Sequence, residues 1–331
     1  MPEIRKDPVF GRWVIIASER GLRPNEFRVP AGAAGGKYDC PFCAGNEGNT
    51  PPTIYSLPAE GGGWRLRVVR NKYPALEAGG SSENRHEGIY DRMDGLGIHE
   101  VVIETPEHGL RLEDMPAVAV ADVVKTFVRR VKELRKDRGI KYVMIFKNHG
   151  RNAGASLLHP HSQIVGMPMA PLRVIQEIDG AAQYFREHGT CVFCDVVKTE
   201  AAFKKRVVAE NADFLAVTPY ASRFSFETWI LPREHSSHFE NTTDSAALAL
   251  AQTLKTVLGK LSVSLADLSY NLIFHTMPVQ DGAAGHYHWH IEIMPKLSHV
   301  AGFEWGTGFY INTVSPEDAA EILNSGKKYK L

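Results

Sequence analysis

Long apolar stretches are absent from this chain of 331 residues. No run of about 18 apolar residues occurs, so the sequence predicts no transmembrane helix, and no apolar core typical of a signal peptide follows Met1. The formal net charge is zero, so nothing global favours nucleic acid or an acidic membrane surface. We therefore expect a cytoplasmic protein without nucleic-acid or membrane partners, whose anion chemistry depends on local Arg, Lys and backbone N–H groups.

Cysteine is also scarce, with four residues arranged as two CxxC pairs, Cys40/Cys43 and Cys191/Cys194. In a cytosolic chain such pairs favour metal binding or redox chemistry over structural disulfides. The pairs lie too far apart for one zinc ribbon, whose second pair follows after about 15–20 residues, so each needs ligands from elsewhere. Neither pair opens an evident helix of a βαβ unit, which makes thioredoxin-like redox chemistry the weaker interpretation.

A histidine motif occurs twice. The segment His159-Pro-His-Ser-Gln163 is matched by His288-Trp-His-Ile-Glu292, 129 residues further along the chain. On an extended segment two histidines two residues apart point to the same side, because strand side chains alternate. A lone histidine precedes each copy, His108 after Pro-Glu and His235 after Arg-Glu. The same order of cysteine pair, lone histidine and HxH predicts a duplicated unit.

Each half therefore offers four ligands suited to a tetrahedral zinc ion. The predicted sets are Cys40, Cys43, His108 and His159 in the first half and Cys191, Cys194, His235 and His288 in the second. For the second site, His238, His286 and His290 remain alternatives. Complete sets leave no open coordination position, so we expect two structural zinc ions per chain. The competing interpretation is that the cysteines are buried small hydrophobes and the histidines incidental.

Apolar and turn segments follow the same order in both halves. The predicted strands are 64–70, 99–104, 142–146, 214–218, 226–231, 270–274 and 286–294. Apolar residues at 4-3-4 spacing predict one helix containing Val120 to Leu134 and ended by Gly139, and another containing Leu250 to Leu261. The predicted fold class is α+β, with two similar units, residues 1–180 and 181–331, each a mostly antiparallel sheet with one long helix.

The first HxH segment predicts a reacting group. If zinc holds His159, the ring of His161 is presented nearby, and a neutral imidazole is a competent nucleophile toward the α-phosphate of a nucleotide sugar. Gln163 would donate its amide hydrogen to a phosphoryl oxygen, and the loop 148–156 is rich in small and donor residues suited to phosphate. Glu292 stands where Gln163 would be and would repel phosphate, so only the first half is expected to be chemically competent.

These motifs resemble the galactose-1-phosphate uridylyltransferase family, a branch of the histidine-triad superfamily with two fused repeats, over nearly the whole chain. The resemblance implies half-barrel repeats, a nucleotidylated His161 assisted by Gln163, zinc on the first-half ligand set and a homodimer. It further implies nucleotide-binding residues at Arg20, Arg23, Asn71, Asn148, Gly154 and Ser156. On the residues alone, the two arginines could be surface charges and Asn71 a turn residue.

Two departures from that family bear on the substrate. The family's second metal site uses a glutamate and three histidines, whereas this chain offers Cys191 and Cys194. The family's hexose-phosphate motif has a lysine followed by Gly-Tyr-Glu, whereas the segment 302–312 here is Gly-Phe-Glu-Trp-Gly-Thr-Gly-Phe-Tyr-Ile-Asn. Both features resemble the ADP-glucose phosphorylase-like branch.

Three hypotheses follow. The leading one is ping-pong exchange between UDP-glucose and a hexose 1-phosphate through nucleotidyl-His161. The alternative keeps the same residues but uses an ADP-sugar donor and inorganic phosphate as acceptor. The third is a zinc-stabilised nucleotide-binding module without turnover, against which the presence of both His161 and Gln163 counts, because binding alone needs no nucleophile.

Overall fold

The computed structural model describes residues 2–6, 13–16, 40–81, 83–279 and 284–329. Its strands are β1 (Glu3–Lys6), β2 (Trp13–Ile16), β3 (Thr53–Pro58), β4 (Trp64–Arg70), β5 (Arg85–Glu87), β6 (Tyr90–Asp94), β7 (Ile98–Ile103), β8 (Tyr142–His149), β9 (His161–Met167), β10 (Val207–Glu210), β11 (Phe214–Val217), β12 (Thr228–Pro232), β13 (Tyr270–His275) and β14 (His290–Pro295). Its helices are α1 (Ala117–Leu134), α2 (Leu172–His188), α3 (Val192–Phe203), α4 (Asp244–Ser264), α5 (Gly302–Thr307) and α6 (Pro316–Ser325).

Ten strands form one continuous sheet in the order β10-β11-β12-β14-β13-β8-β9-β7-β4-β3. All its neighbouring strands are antiparallel. Counted outward from the centre, β13, β14, β12, β11 and β10 repeat the connectivity of β8, β9, β7, β4 and β3. The α+β class with a duplicated antiparallel unit is confirmed, and the two copies are joined by hydrogen bonds between β8 and β13. The predicted boundary at residue 180 falls within α2, and the division into two units stays a prediction.

Helices α1 and α4 cover one face of this sheet and pack against each other. The apolar residues predicted to face the core are buried, namely Val120, Val124, Phe127, Val131 and Leu134 in α1 and Leu250, Leu254, Val257 and Leu261 in α4. Phe127 of the first half meets Phe274 of the second edge-on at 5.5 Å between ring centroids. Burying one such side chain contributes roughly 2–3 kcal/mol, so the core ties the halves together. None of the helices within the described ranges has the length and apolarity needed to cross a membrane.

Several sequence-based boundaries differ from the structure. Helix α1 ends at Leu134 rather than near Gly139, because the Asp137 carboxylate accepts the Gly139 N–H and forms a local turn that competes with the helix. Strand β14 begins at His290 rather than His286, since the Trp289 N–H donates to the Ser236 carbonyl instead of a sheet neighbour. Helix α3 follows Cys191 of the second CxxC directly, but the strands after it are antiparallel, so it does not belong to a βαβ unit.

Candidate functional site

The first cysteine and histidine group joins two loops to the start of β9. Cys40 and Cys43 share a tight turn, in which the Cys43 N–H donates to the Cys40 carbonyl (3.3 Å). His108 lies in the loop after β7, and His159 precedes β9. The Sγ atom of Cys43 lies 3.4 Å from Nδ1 of His108 and 3.5 Å from Nδ1 of His159. The four predicted ligands therefore converge, with their ligand atoms within 4.8 Å of one another.

The second group repeats this geometry. The Sγ atom of Cys194 lies 3.3 Å from Nδ1 of His235 and 3.6 Å from Nδ1 of His288, and Cys191 completes the set. The two histidine rings are 5.3 Å apart at 78°, against 5.5 Å and 77° for the first-half pair. His235 is exposed, so this group is the more open one. Of the alternative ligands, His238 bonds instead to the Ser237 hydroxyl (2.8 Å).

Both groups can hold a metal ion, and their dimensions suit zinc. Tetrahedral zinc, with Zn–S of about 2.3 Å and Zn–N of about 2.0 Å, separates sulfur from nitrogen by about 3.5 Å, close to the four distances above. Burial lowers the pKa of His159 to about 4 and that of His288 to about 3, so both rings are neutral at pH 7, as metal ligands must be. Nε2–H of His159 donates to the Thr105 carbonyl (2.8 Å), which leaves the Nδ1 lone pair for a metal.

His161 and Gln163 lie on the sheet face opposite α1. Both are buried. Nδ1 of His161 lies 2.8 Å from the His159 carbonyl oxygen. A carbonyl oxygen can only accept, so Nδ1 carries a proton, and in the neutral form of the ring Nε2 carries the lone pair. Phe42, between the two first-half cysteines, meets this ring at 5.3 Å.

A histidine that the motif analysis missed contacts Gln163. Nε2 of His99, on β7, lies 2.9 Å from Oε1 of Gln163. Its Nδ1 accepts the Ala75 backbone N–H (3.0 Å). The amide of Asn71 lies beside this histidine, with Nδ2 at 3.1 Å from Nε2, and its Oδ1 accepts the Tyr73 N–H (2.9 Å). Asn71 is thus brought close to Gln163 through His99.

Three other predicted binding residues lie at the end of β8 and in the loop that follows it. Asn148 is near the end of β8, and its Oδ1 accepts a hydrogen bond from Nδ2 of Asn271 on β13 (2.8 Å). Gly154 has a left-handed backbone with φ of 80°, and Ser156 is buried. The N–H groups of residues 153 to 155 donate back to the Gly150 and Arg151 carbonyls. These three amides bond within the loop, and the expectation that the loop 148–156 binds a phosphate stays a prediction. Arg20 and Arg23 lie outside the described residues.

A buried ion pair supports β9 from the helix side. Nζ of Lys147 lies 2.8 Å from a carboxylate oxygen of Glu104 and donates to the His161 carbonyl at 3.2 Å. The Ser162 hydroxyl donates to the other Glu104 oxygen. Because Lys147 and Glu104 are 3% and 0% exposed, these bonds are shielded from water. They fix the backbone of His161 from the helix side of the sheet.

Two family models match the chain. The model described as galactose-1-phosphate uridyl transferase, N-terminal domain, matches residues 1–171, which is more than half of the chain. The chain belongs to the galactose-1-phosphate uridylyltransferase family. The second model, described as a domain of unknown function (DUF4921), matches residues 121–326.

Full-length relatives agree with this assignment. ADP-glucose phosphorylase of Arabidopsis thaliana is 39% identical over 328 residues, covering 97% of this chain and 92% of that protein. Galactose-1-phosphate uridylyltransferase of Thermotoga maritima is 31% identical over 332 residues, covering 98% of both. The resemblance inferred from the motifs is confirmed. The chain is an enzyme of the galactose-1-phosphate uridylyltransferase family, in which transferases and a phosphorylase are both found.

Solved structures of similar proteins show the same fold. A crystal structure of Arabidopsis thaliana ADP-glucose phosphorylase with bound ADP-glucose has a TM-score of 0.78 and 37% identity, covering 100% of both chains. A uridylyltransferase structure has a TM-score of 0.82 and 30% identity, covering 98% of both.

The second copy of the histidine motif has a different environment. The ring of His290 stacks on His275 at 4.6 Å, and its Nε2 lies 3.8 Å from the Glu177 carboxylate on α2. These three residues form a further group that could hold a metal ion. Nε2 of His275 also lies 3.4 Å from Glu292, which binds Arg223 at 2.6 Å. Where the first half has a neutral amide, this half has a charge network.

The duplication could have identified His275 as a site residue, because strand pairing makes it the counterpart of Asn148. Strands β8 and β9 pair Phe146 with Gln163, so by extension Asn148 lies opposite His161. Strands β13 and β14 pair His275 directly with His290. His275 is therefore the counterpart of Asn148, although the loops differ in length between the copies. Burial opposes a charge on His275, but hydrogen bonds and charges of Glu177 and Glu292 outweigh it and raise the pKa of His275 to about 10.

Proposed function

We propose that this chain transfers a nucleotidyl group through a covalent intermediate on His161. The observation that carries the proposal is the hydrogen bond from Nδ1–H of His161 to the His159 carbonyl. It leaves the lone pair at Nε2, the nitrogen that would attack the α-phosphorus of a nucleotide sugar. A P–N bond forms, the bond from that phosphorus to the bridging oxygen breaks, and the sugar 1-phosphate leaves. The acceptor then attacks the same phosphorus, the P–N bond breaks, and the neutral ring is regenerated.

Gln163 would stabilise the charge that develops on the phosphoryl oxygens. It follows His161 by two residues on the same strand face and is equally buried, so its amide acts in a low-dielectric site. Removing one such preorganised donor costs about 10²–10³ in rate in well-studied cases. Zinc at the first group would supply no chemistry in this scheme and would fix His159, two residues from the nucleophile. We assign the second group to zinc as well, on its matching donor geometry.

We further propose ADP-glucose as donor and inorganic phosphate as acceptor, giving ADP and glucose 1-phosphate. Two features favour this pair over UDP-glucose and a hexose 1-phosphate. The relative named ADP-glucose phosphorylase is 39% identical, against 31% for the Thermotoga maritima uridylyltransferase. The second site is a Cys₂His₂ set, the feature that linked the sequence to the ADP-glucose phosphorylase-like branch. The reaction of UDP-glucose with galactose 1-phosphate is the second candidate, since the Thermotoga maritima enzyme covers 98% of this chain.

Asn71, Asn148, Gly154 and Ser156 are the proposed nucleotide contacts, together with Arg20 and Arg23. In support, Asn71 contacts His99 and Asn148 contacts Asn271, and Gly154 and Ser156 follow β8 in the next loop. The proposed assembly is a cytoplasmic homodimer. In support of the dimer, the segment from α5 onward leaves four large apolar side chains exposed within nine residues, namely Phe303, Trp305, Phe309 and Ile311, and such a patch is rarely left bare on a monomer.

Product analysis tests the proposal. The protein is incubated in parallel with ADP-glucose and phosphate and with UDP-glucose and galactose 1-phosphate, and nucleotides and sugar phosphates are separated by anion exchange. We expect ADP and glucose 1-phosphate to form in the first mixture, at least about tenfold faster than any UDP-galactose in the second. The reverse ratio would select the second candidate. No turnover in either mixture would contradict both reactions and favour the third hypothesis, a nucleotide-binding module without turnover.

A further inference from the structure

The amide of Gln163 can do its proposed work only in one orientation. Its two ends have nearly the same shape, and only the NH₂ end can donate to a phosphoryl oxygen, whereas the carbonyl end would repel it. Some other group must therefore decide which end faces the substrate.

We propose that His99 is the positioning residue that fixes the orientation of the Gln163 amide, an inference that rests on the proposed function. The backbone N–H of Ala75 donates to Nδ1 of His99 (3.0 Å). A backbone N–H is always a donor, so Nδ1 must hold the lone pair, and the single proton of the neutral ring is on Nε2. That proton is directed at Oε1 of Gln163, 2.9 Å away.

This bond removes the ambiguity at Gln163. Turning the amide over would place its NH₂ group against the Nε2–H of His99, and two donors would meet in a buried site where water cannot relieve the mismatch. His99 is 4% exposed and Gln163 7%. The NH₂ end of Gln163 therefore points away from His99. Asn71 adds no competing acceptor at Nε2, because its Oδ1 accepts the Tyr73 N–H. Its Nδ2, 3.1 Å from Nε2, is itself a donor, so its hydrogens must be directed away from the Nε2–H rather than bond to it.

The strand register explains why the contact exists. Val101 pairs with Gln163, and His99 pairs with Val165, so His99 is the diagonal neighbour of Gln163 on the same face, within reach of a ring. The second half shows what replaces it. Trp229 pairs with Glu292, so Glu227 occupies the position of His99, and Arg223 bridges Glu227 and Glu292. In the first half the neutral amide of Gln163 is paired with the neutral N–H of His99, and in the second half the carboxylate of Glu292 is paired with the cation of Arg223.

Single-turnover nucleotidylation measures the effect. Wild type, His99→Phe, Gln163→Ala and the double variant are mixed with α-labelled ADP-glucose, and in parallel with UDP-glucose, without acceptor. We expect Gln163→Ala to slow labelling by about 10²–10³-fold and His99→Phe by about 10–100-fold. The nucleotide-sugar concentration that gives half the maximal labelling rate should change less than about threefold. Because His99 acts only through Gln163, the double variant should be no slower than Gln163→Ala within about twofold.

Val165→Ala is the matched control. Val165 is the paired neighbour of His99 and is buried, so its truncation loosens the same packing without touching the amide. We expect it to lower Tm more than it lowers the labelling rate. Labelling of His99→Phe at the wild-type rate, or a double variant slowed by the product of the two single effects, would overturn the proposal.

A spectroscopic readout separates this inference from the proposed function. The ring ¹⁵N shifts of His99 in the unliganded protein should show the Nε2–H tautomer, and the amide resonances of Gln163 should change in His99→Phe. An Nδ1–H tautomer contradicts the inference whatever the activity. If wild type takes up no label from either nucleotide sugar, the proposed function fails, and the ring shifts still decide the orientation.

Discussion

The carbonyl oxygen of His159 lies 2.8 Å from Nδ1 of His161. One residue of the HxH motif thus sets the tautomer of the other. The same His159 turns its own Nδ1 toward Cys43 at 3.5 Å, so a metal ion at the first group would fix the backbone that carries this carbonyl. The first cysteine and histidine group and the proposed nucleophile His161 are therefore coupled through His159, whose ring faces Cys43 and whose carbonyl accepts from His161.

This coupling predicts different outcomes for matched cysteine variants. Wild type should contain two zinc ions per chain by elemental analysis, and Cys43→Ser and Cys194→Ser should each contain one. Cys43→Ser frees His159, and displacement of a reacting group by ~1 Å costs about 100-fold, so its labelling by a nucleotide sugar should fall by that order. Cys194→Ser, far along the sheet, should lose far less activity. Equal losses in the two variants would contradict the coupling.

The Lys147–Glu104 pair predicts a strong single-residue effect on stability. Lys147→Met leaves Glu104 charged, buried and unpaired, which should lower the free energy of unfolding by roughly 3–5 kcal/mol. The double variant Lys147→Met/Glu104→Gln removes both charges and retains an acceptor for the Ser162 hydroxyl, so most of the stability should return. Urea denaturation monitored by tryptophan fluorescence measures both. A single variant as stable as wild type would show that the pair is not buried as described.

The bond from Asn271 to Asn148 predicts that the second half tunes the nucleotide site. Asn271→Asp keeps the shape but replaces the donor with an acceptor, so the Asn148 amide should turn over and present its oxygen to the nucleotide. We expect KM for the nucleotide sugar to rise about tenfold, the equivalent of 1.4 kcal/mol, with kcat changed less. Steady-state kinetics measure both constants. A lower Tm with an unchanged KM would assign Asn271 a purely structural role.

Glu113 predicts a pH-dependent gain in stability. Burial raises the pKa of Glu113, whose side chain is 4% exposed, with Arg111 at 3.5 Å. The folded state therefore binds this proton more readily than the unfolded state, and the charged carboxylate destabilises the fold above its folded pKa. Glu113→Gln should stabilise the protein by on the order of 1 kcal/mol at neutral pH, and the gain should vanish as pH falls below the unfolded value of 4.5.

Thermal unfolding between pH 4 and pH 8 measures this difference. Glu321→Gln is the matched control, because Glu321 is exposed, and it should show no such trend. A gain for Glu113→Gln that grows toward low pH would contradict the assignment.

Local patterns predicted much of the site. The two CxxC pairs, the two HxH segments and Gln163 have short spacings that place their side chains, and the buried faces of α1 and α4 follow from apolar periodicity. His108 and His235 lie outside these motifs and were predicted from the order of residues shared by the two halves. Tertiary partners could not be predicted in this way. His99 reaches Gln163 through strand register, Asn271 reaches Asn148 across the junction of β8 and β13, and Glu177 reaches His275 because α2 returns over the second half. These contacts join residues 64, 123 and 98 positions apart, and no short motif encodes them.

Location of the covalent label tests the central claim most directly. The protein is incubated with α-labelled ADP-glucose or UDP-glucose without acceptor, digested at alkaline pH, and the labelled peptide is sequenced by mass spectrometry. The account predicts an acid-labile, base-stable adduct on His161, absent from His161→Asn and discharged by phosphate or galactose 1-phosphate. A label on any other residue, or equal labelling of His161→Asn, would contradict it.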